Sequence, residues 1–170
     1  MNHRQDGTAV RLRIWIARLL VLVVFLTNVS CALVFIFSPE NYAGAYELAG
    51  ASGLAAIQGI GVVFLMWNAT YPLVIVRPDR YRALFVVVLV QQLIGIIGES
   101  FILLALPEGH QVLADSILRF IAFDAVGLVL LSIGFFLSKT LKKPSKKSLM
   151  IRNKQPVQEK SQACGNILFK

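Results

Sequence analysis

Four ionisable residues stand inside apolar runs of this chain, Arg18, Glu99, Arg119 and Asp124, and the last three are its first candidates for chemistry. A charge held within a bilayer is costly, so an intramembrane acid or base points to a proton relay, a solute site or a counter-ion. Glu99 lies ten residues before Gly109 and Arg119 ten residues after it. A helical hairpin turning at Gly109 sets both at similar depth, where carboxylate and guanidinium lower each other's cost. Asp124 lies five residues beyond Arg119, about 7–8 Å deeper and offset by about 140° around the helix. It therefore calls for a different partner. Gln58, Gln91 and Gln92 fall in the middle of their runs, and Asn28 lies in the first. These seven residues, drawn from four apolar runs, offer the parts of one polar core.

Such a core has two readings. Interhelical hydrogen bonds contribute about 0.6 kcal/mol each on average and up to roughly 2 kcal/mol, so the residues can serve as structural glue that sets helix register. Alternatively they line a pocket open toward the outer leaflet that takes a proton, a small solute, or the head of a quinone or lipid. His110 lies near the mouth of such a pocket and reads as a solvated loop histidine. No catalytic set accompanies these groups. The sequence has no Gly-rich phosphate loop, Gly-x-Ser-x-Gly elbow or HExxH, and no paired cysteines. Cys31 and Cys164 lie far apart and lack the spacing of a metal site. The expectation is a non-enzymatic protein without metal.

The elements that position these residues follow from composition. Of 170 residues, 56% are hydrophobic, and the mean hydropathy is +0.69. A soluble domain of this size cannot bury that much apolar surface. Four runs, at about 15–37, 48–71, 84–106 and 116–138, are each long enough to cross a bilayer as a helix. They divide the chain into a short N-terminus (1–13), a four-helix domain (14–138) and a tail (139–170). Fifteen of the 17 Lys and Arg residues lie before the first run, between the second and third, or after the fourth. By the positive-inside rule this gives an all-α, four-helix membrane bundle with both termini in the cytoplasm, in the cell's inner (plasma) membrane. Arg18, near the inner end of the first run, reads as a snorkelling residue.

The tail carries nine bases and one acid, which accounts for the whole net charge of +8. The basic balance is thus local and is no argument for nucleic acid. Its first five lysines suit anionic lipid headgroups, or simply anchor the topology. The tail beyond Pro144 reads as disordered. Val29-Ser30-Cys31 resembles a lipoprotein cleavage site, but the apolar run continues past it, so the first run is expected to stay as a helix. Asn28-Val29-Ser30 and Asn68-Ala69-Thr70 match a glycosylation triplet only by chance, being within spans. Pro39 either stops the first helix or caps a new turn. Small residues from Gly50 to Gly61, and the pair Gly95 and Gly98, mark close-contact faces. Trp67 and Tyr71 mark the inner interface, and residues 73–76 either extend the second helix or lie in that interface.

The small-residue stretch Gly50-Ala51-Ser52-Gly53 with Gly59-Ile60-Gly61, set in a compact four-helix chain with a few polar core residues, resembles small bacterial membrane proteins of the DoxX-like type. The similarity runs from about Arg11 to Lys139 and rests on helix count, size and glycine texture. It implies a link to quinone or thiol oxidation, and hence a redox accessory subunit. Three functions follow from the sequence: an accessory or scaffold subunit, a small-solute or proton-coupled transporter, and a quinone-binding redox accessory protein. The bilayer is the first partner, with a second copy or a membrane complex as others.

Overall fold

The computed structural model describes residues 2–139, with side chains from residue 8 onward. The headgroup site expected on the basic tail, apart from Lys139, and Cys164 lie outside the described residues. Among the described residues every element is helical: α1 (Asn2–Phe37), α2 (Glu40–Ala43), a 3-10 turn (Gly44–Tyr46), α3 (Gly50–Asn68), α4 (Tyr71–Val76), α5 (Arg82–Ala105) and α6 (Gln111–Leu137). Among the described residues four segments are long and apolar enough to cross a membrane: Thr8–Phe37, Gly50–Val76, Arg82–Ala105 and Gln111–Leu137. The second is α3 and α4 together. Pro72 has no N–H to offer the carbonyl of Asn68 and crowds it, so the helix breaks there and resumes.

α1 is the central staff. Its buried residues Ala17, Val21, Val24, Ala32 and Phe35 recur at helical spacing along one face. That face packs against α3 and α6; α6 in turn packs on α5, and α4 reaches both α1 and α5. Among the described residues α3 and α5 are not packed on each other. The long helices therefore run α3, α1, α6, α5 as an arc, with a lateral gap between its two ends and α4 bridging one end of that gap.

The close approaches use glycine where the sequence offers it. A Cβ on Gly61 would stand 2.8 Å from the carbonyl oxygen of Ala32 and 2.9 Å from the Cβ of Phe35, so α3 and α1 touch backbone to backbone here. In lipid, where packing rather than water expulsion drives helix association, such contacts hold helices together. Gly59, two residues away, has open space at the same place.

At one end of the helices, Pro39 leads into α2 and the 3-10 turn. Leu48 N–H then donates to the Ala43 carbonyl at 2.8 Å and Glu47 N–H to that of Gly44 at 3.1 Å. This is the double closure of a helix C-terminus, with Glu47 in the left-handed region at φ 55° where glycine is usual. The Glu47 carboxylate meets His110 Nδ1 from the loop before α6, which ties the two loops together. His110, expected as a free loop histidine, is thus a partner of Glu47. Glu40, Glu108 and Asp115 share this end, whereas Arg77, Arg80, Arg82 and Lys139 collect at the other.

Gly61→Val should lower the stability of the purified protein by about 1–3 kcal/mol, the usual cost of overpacking. Gly59→Ala should leave it unchanged within about 0.5 kcal/mol. Thermal unfolding in mild detergent distinguishes the two.

Candidate functional site

The gap between α3 and α5 holds a cavity of about 270 Å³. Its polar lining comes from every long helix: Asn28 from α1, Asn68 from α3, Gln91, Gln92 and Glu99 from α5, and Asp124 from α6, with Tyr71 from α4. Four aromatic rings, Phe64, Trp67, Phe120 and Phe123, join aliphatic residues and glycines in the rest of the wall.

The fixed point is Asp124. Gln92 Nε2 donates to its Oδ1 at 2.7 Å and lies 3.3 Å from its backbone oxygen. Two glycines make room for this pair. A Cβ on Gly95 would collide with the Asp124 carboxylate, and one on Gly127 would stand 2.9 Å from Gln92 Nε2. The hydroxyl of Tyr71 donates to Gln92 Oε1 at 3.4 Å, which extends the chain to Tyr71–Gln92–Asp124. Beside it Asn28 Nδ2 donates to Asn68 Oδ1 at 3.4 Å, and Asn68 Nδ2 donates to the Phe64 carbonyl at 2.8 Å.

Two acceptors in this cavity are left over. Glu99 Oε2 and Gln91 Oε1 are buried and have no hydrogen-bond partner. A buried polar group without a partner is uncommon and costs about 1–3 kcal/mol, more when charged. Toward the acidic end, burial pushes the Tyr46 phenol up from its ordinary value, and the charge of Glu99 adds to the shift. Tyr46 is thus a neutral phenol at neutral pH.

The sequence placed Glu99 opposite Arg119, and the structure separates them. Arg119 is exposed, its Nε donates to the carbonyl of Asp115 at 3.2 Å, and no ion pair joins it to Glu99. It lines a second cavity of about 640 Å³ between α1 and α6, with Ser30, Asn41, Tyr42 and Ser116. Cys31, Phe120 and Phe123 border both cavities and form the partition. Hairpin counting fixes depth but not direction around the helix, and α6 turns Arg119 away from Asp124. Gln58 is also outside the first cavity, with its Nε2 donating to the Ile36 carbonyl at 3.1 Å.

Two residues of the site escaped the sequence reading. Tyr71, expected at the membrane interface, is 2% exposed and belongs to the core. α4 carries the second span five residues beyond it, to Val76, which sets Tyr71 well inside. Asn68, noticed only within a chance triplet, is 4% exposed and anchors the α3 side of the cavity. The signal available was its position: an amide one helical turn after Phe64 and just before a proline break.

Compared with protein families, curated proteins and solved structures, the chain matches none of them.

Gly95→Ala should push the Asp124 carboxylate off Gln92 and lower stability by about 1–3 kcal/mol. Gly98→Ala, with nothing within 4 Å of the new Cβ, should leave stability within about 0.5 kcal/mol while narrowing the cavity it lines. Thermal melts of the two variants test this.

Proposed function

We propose that the chain is a four-helix membrane carrier in the inner (plasma) membrane, with both termini cytoplasmic. It binds a small cationic or hydrogen-donating solute between α3 and α5 and exchanges it for protons. The observation that carries this reading is the pair of buried, unpartnered acceptors, Glu99 Oε2 and Gln91 Oε1, beside the Asp124 carboxylate in a cavity with no cation in its lining. A network kept only as helix glue should satisfy its own groups, since a half-satisfied one is worse than an apolar core. Here the acceptors need a donor from outside. A proton on a carboxyl supplies one, and so does an ammonium group, which the aromatic walls also attract through their ring faces. Proton and solute then compete for the same carboxylates, which is the basis of exchange. The lateral gap gives a membrane-soluble ligand a way in. The topology follows from the basic end, which the positive-inside rule puts in the cytoplasm.

A second reading has its own observation. The cavity beside Arg119 presents donors of the kind a quinone carbonyl accepts, including the guanidinium and the hydroxyl of Ser116. A quinone extracted from purified wild type and lost in Arg119→Ala would favour it.

The carrier reading is tested in proteoliposomes with the membrane potential clamped, using labelled benzylguanidinium, a cation with N–H donors, as the probe. Uptake should follow an outward-directed proton flux, and Glu99→Gln and Asp124→Asn should abolish it while the proteins stay folded. Equal uptake by wild type and both variants would sink the reading.

A further inference from the structure

Arg18 is an intramembrane charge that lines neither of these cavities. It lies on α1, and it does more than reach for the surface. Its guanidinium carbon sits 5.2 Å from the centre of the Trp15 ring, and its Nε is buried with no hydrogen-bond partner. Across from it, at the end of α4, stands Arg77. The two arginines line one cleft of about 460 Å³ between α1 and α4, and the rest of its lining is apolar: Leu19, Leu22, Ile75 and Val76 beside Trp15. Among the described residues neither guanidinium meets a carboxylate. Asp79 is the nearest acid in sequence to Arg77, and it does not line the cleft.

The level of the cleft matters. Arg82 lies over the ring of Phe135 at 4.5 Å and Lys139 over that of Phe136 at 4.8 Å. These cations, with Arg77, mark the basic end, where the helices leave the apolar layer. Arginine heads and a Trp ring at that level, above apolar walls, match the layout of a lipid: anionic head outward, acyl chain inward. Arginine's flat, multi-donor head suits phosphate oxygens, and two of them from separate helices can grip one phosphate from both sides.

We infer that the cleft between α1 and α4 is a binding site for an anionic phospholipid, whose phosphate sits between Arg18 and Arg77 and whose acyl chain lies along Leu19, Leu22 and Ile75. The inference depends on the membrane setting and not on the carrier reading, since it shares no residue with the cavity between α3 and α5. The lipid would staple α4 to α1 and so hold the break after Asn68 in place.

The test is native mass spectrometry of the full-length protein with phosphatidylglycerol and phosphatidylcholine of identical chains, supplied at equal concentration. One phosphatidylglycerol should be retained in preference to phosphatidylcholine. Arg18→Gln and Arg77→Gln should each cut that retention about fivefold, the effect of losing one basic contact at a membrane surface. Arg80→Gln, outside the cleft, should not. Equal retention of the two lipids by wild type, a measurement that needs no variant, would overturn the inference. So would a loss in Arg80→Gln as large as in Arg18→Gln, which would mean diffuse attraction. Displacement of the lipid by soluble glycerol phosphate would also overturn it, by assigning the cleft to a free phosphate.

Discussion

The structure is organised around one hydrogen bond. Gln92 of α5 holds the Asp124 carboxylate of α6 at 2.7 Å, between two helices that are apolar over most of their length. A carboxylate taken out of water carries an effective penalty of several kcal/mol that a partner must offset. Much of the local sequence follows from that requirement. Position 95 lacks a side chain because the carboxylate occupies that space, and position 127 lacks one because Gln92 does. Tyr71 comes in from α4 to donate to the side-chain oxygen of Gln92. The break after Asn68 is what lets α4 deliver that phenol, since it interrupts the course of α3 at the required place.

The same bond explains why the helices form an arc. α5 is fastened to α6, α6 packs on α1, and α1 is locked to α3 through Gly61. No comparable contact joins α3 to α5, and the residues that face the gap are aromatic rings and unpartnered acceptors. A structure that closed the gap with apolar side chains would shut Glu99 away from any outside donor. Leaving it open keeps Glu99 within reach of a proton or a ligand. The two cavities then differ in chemistry. The one between α3 and α5 offers acceptors, and the one between α1 and α6 offers donors around Arg119, with Cys31, Phe120 and Phe123 between them.

Much of this was legible in the sequence and some was not, for physical reasons. Run length and hydropathy set four apolar helices long enough to cross a membrane, because both are properties of the chain itself. The depth of Glu99 and Asp124 was equally readable, from rise per residue. Azimuth was not. Whether Arg119 faces Glu99 depends on how α5 and α6 are rotated against α1, which spacing alone does not encode, and the arginine turned out to face the other cavity. Gln58 shows the same limit: mid-run, yet bonded to the end of α1 at Ile36. Tyr71 was misplaced for a different reason. Aromatic residues near a run's end mark interfaces, but this run did not end there, because α4 continues the span past Pro72.

The central claim is that the α3–α5 gap is an open site for a solute rather than a closed helix contact. It is tested most directly by a distance between its two rims, with spin labels on Trp67→Cys and Ile94→Cys in a background lacking Cys31 and Cys164. The account predicts a broad distance distribution between the two labels, which shortens and narrows when benzylguanidinium is added. A single narrow distance without solute, unchanged when solute is added, would contradict the account.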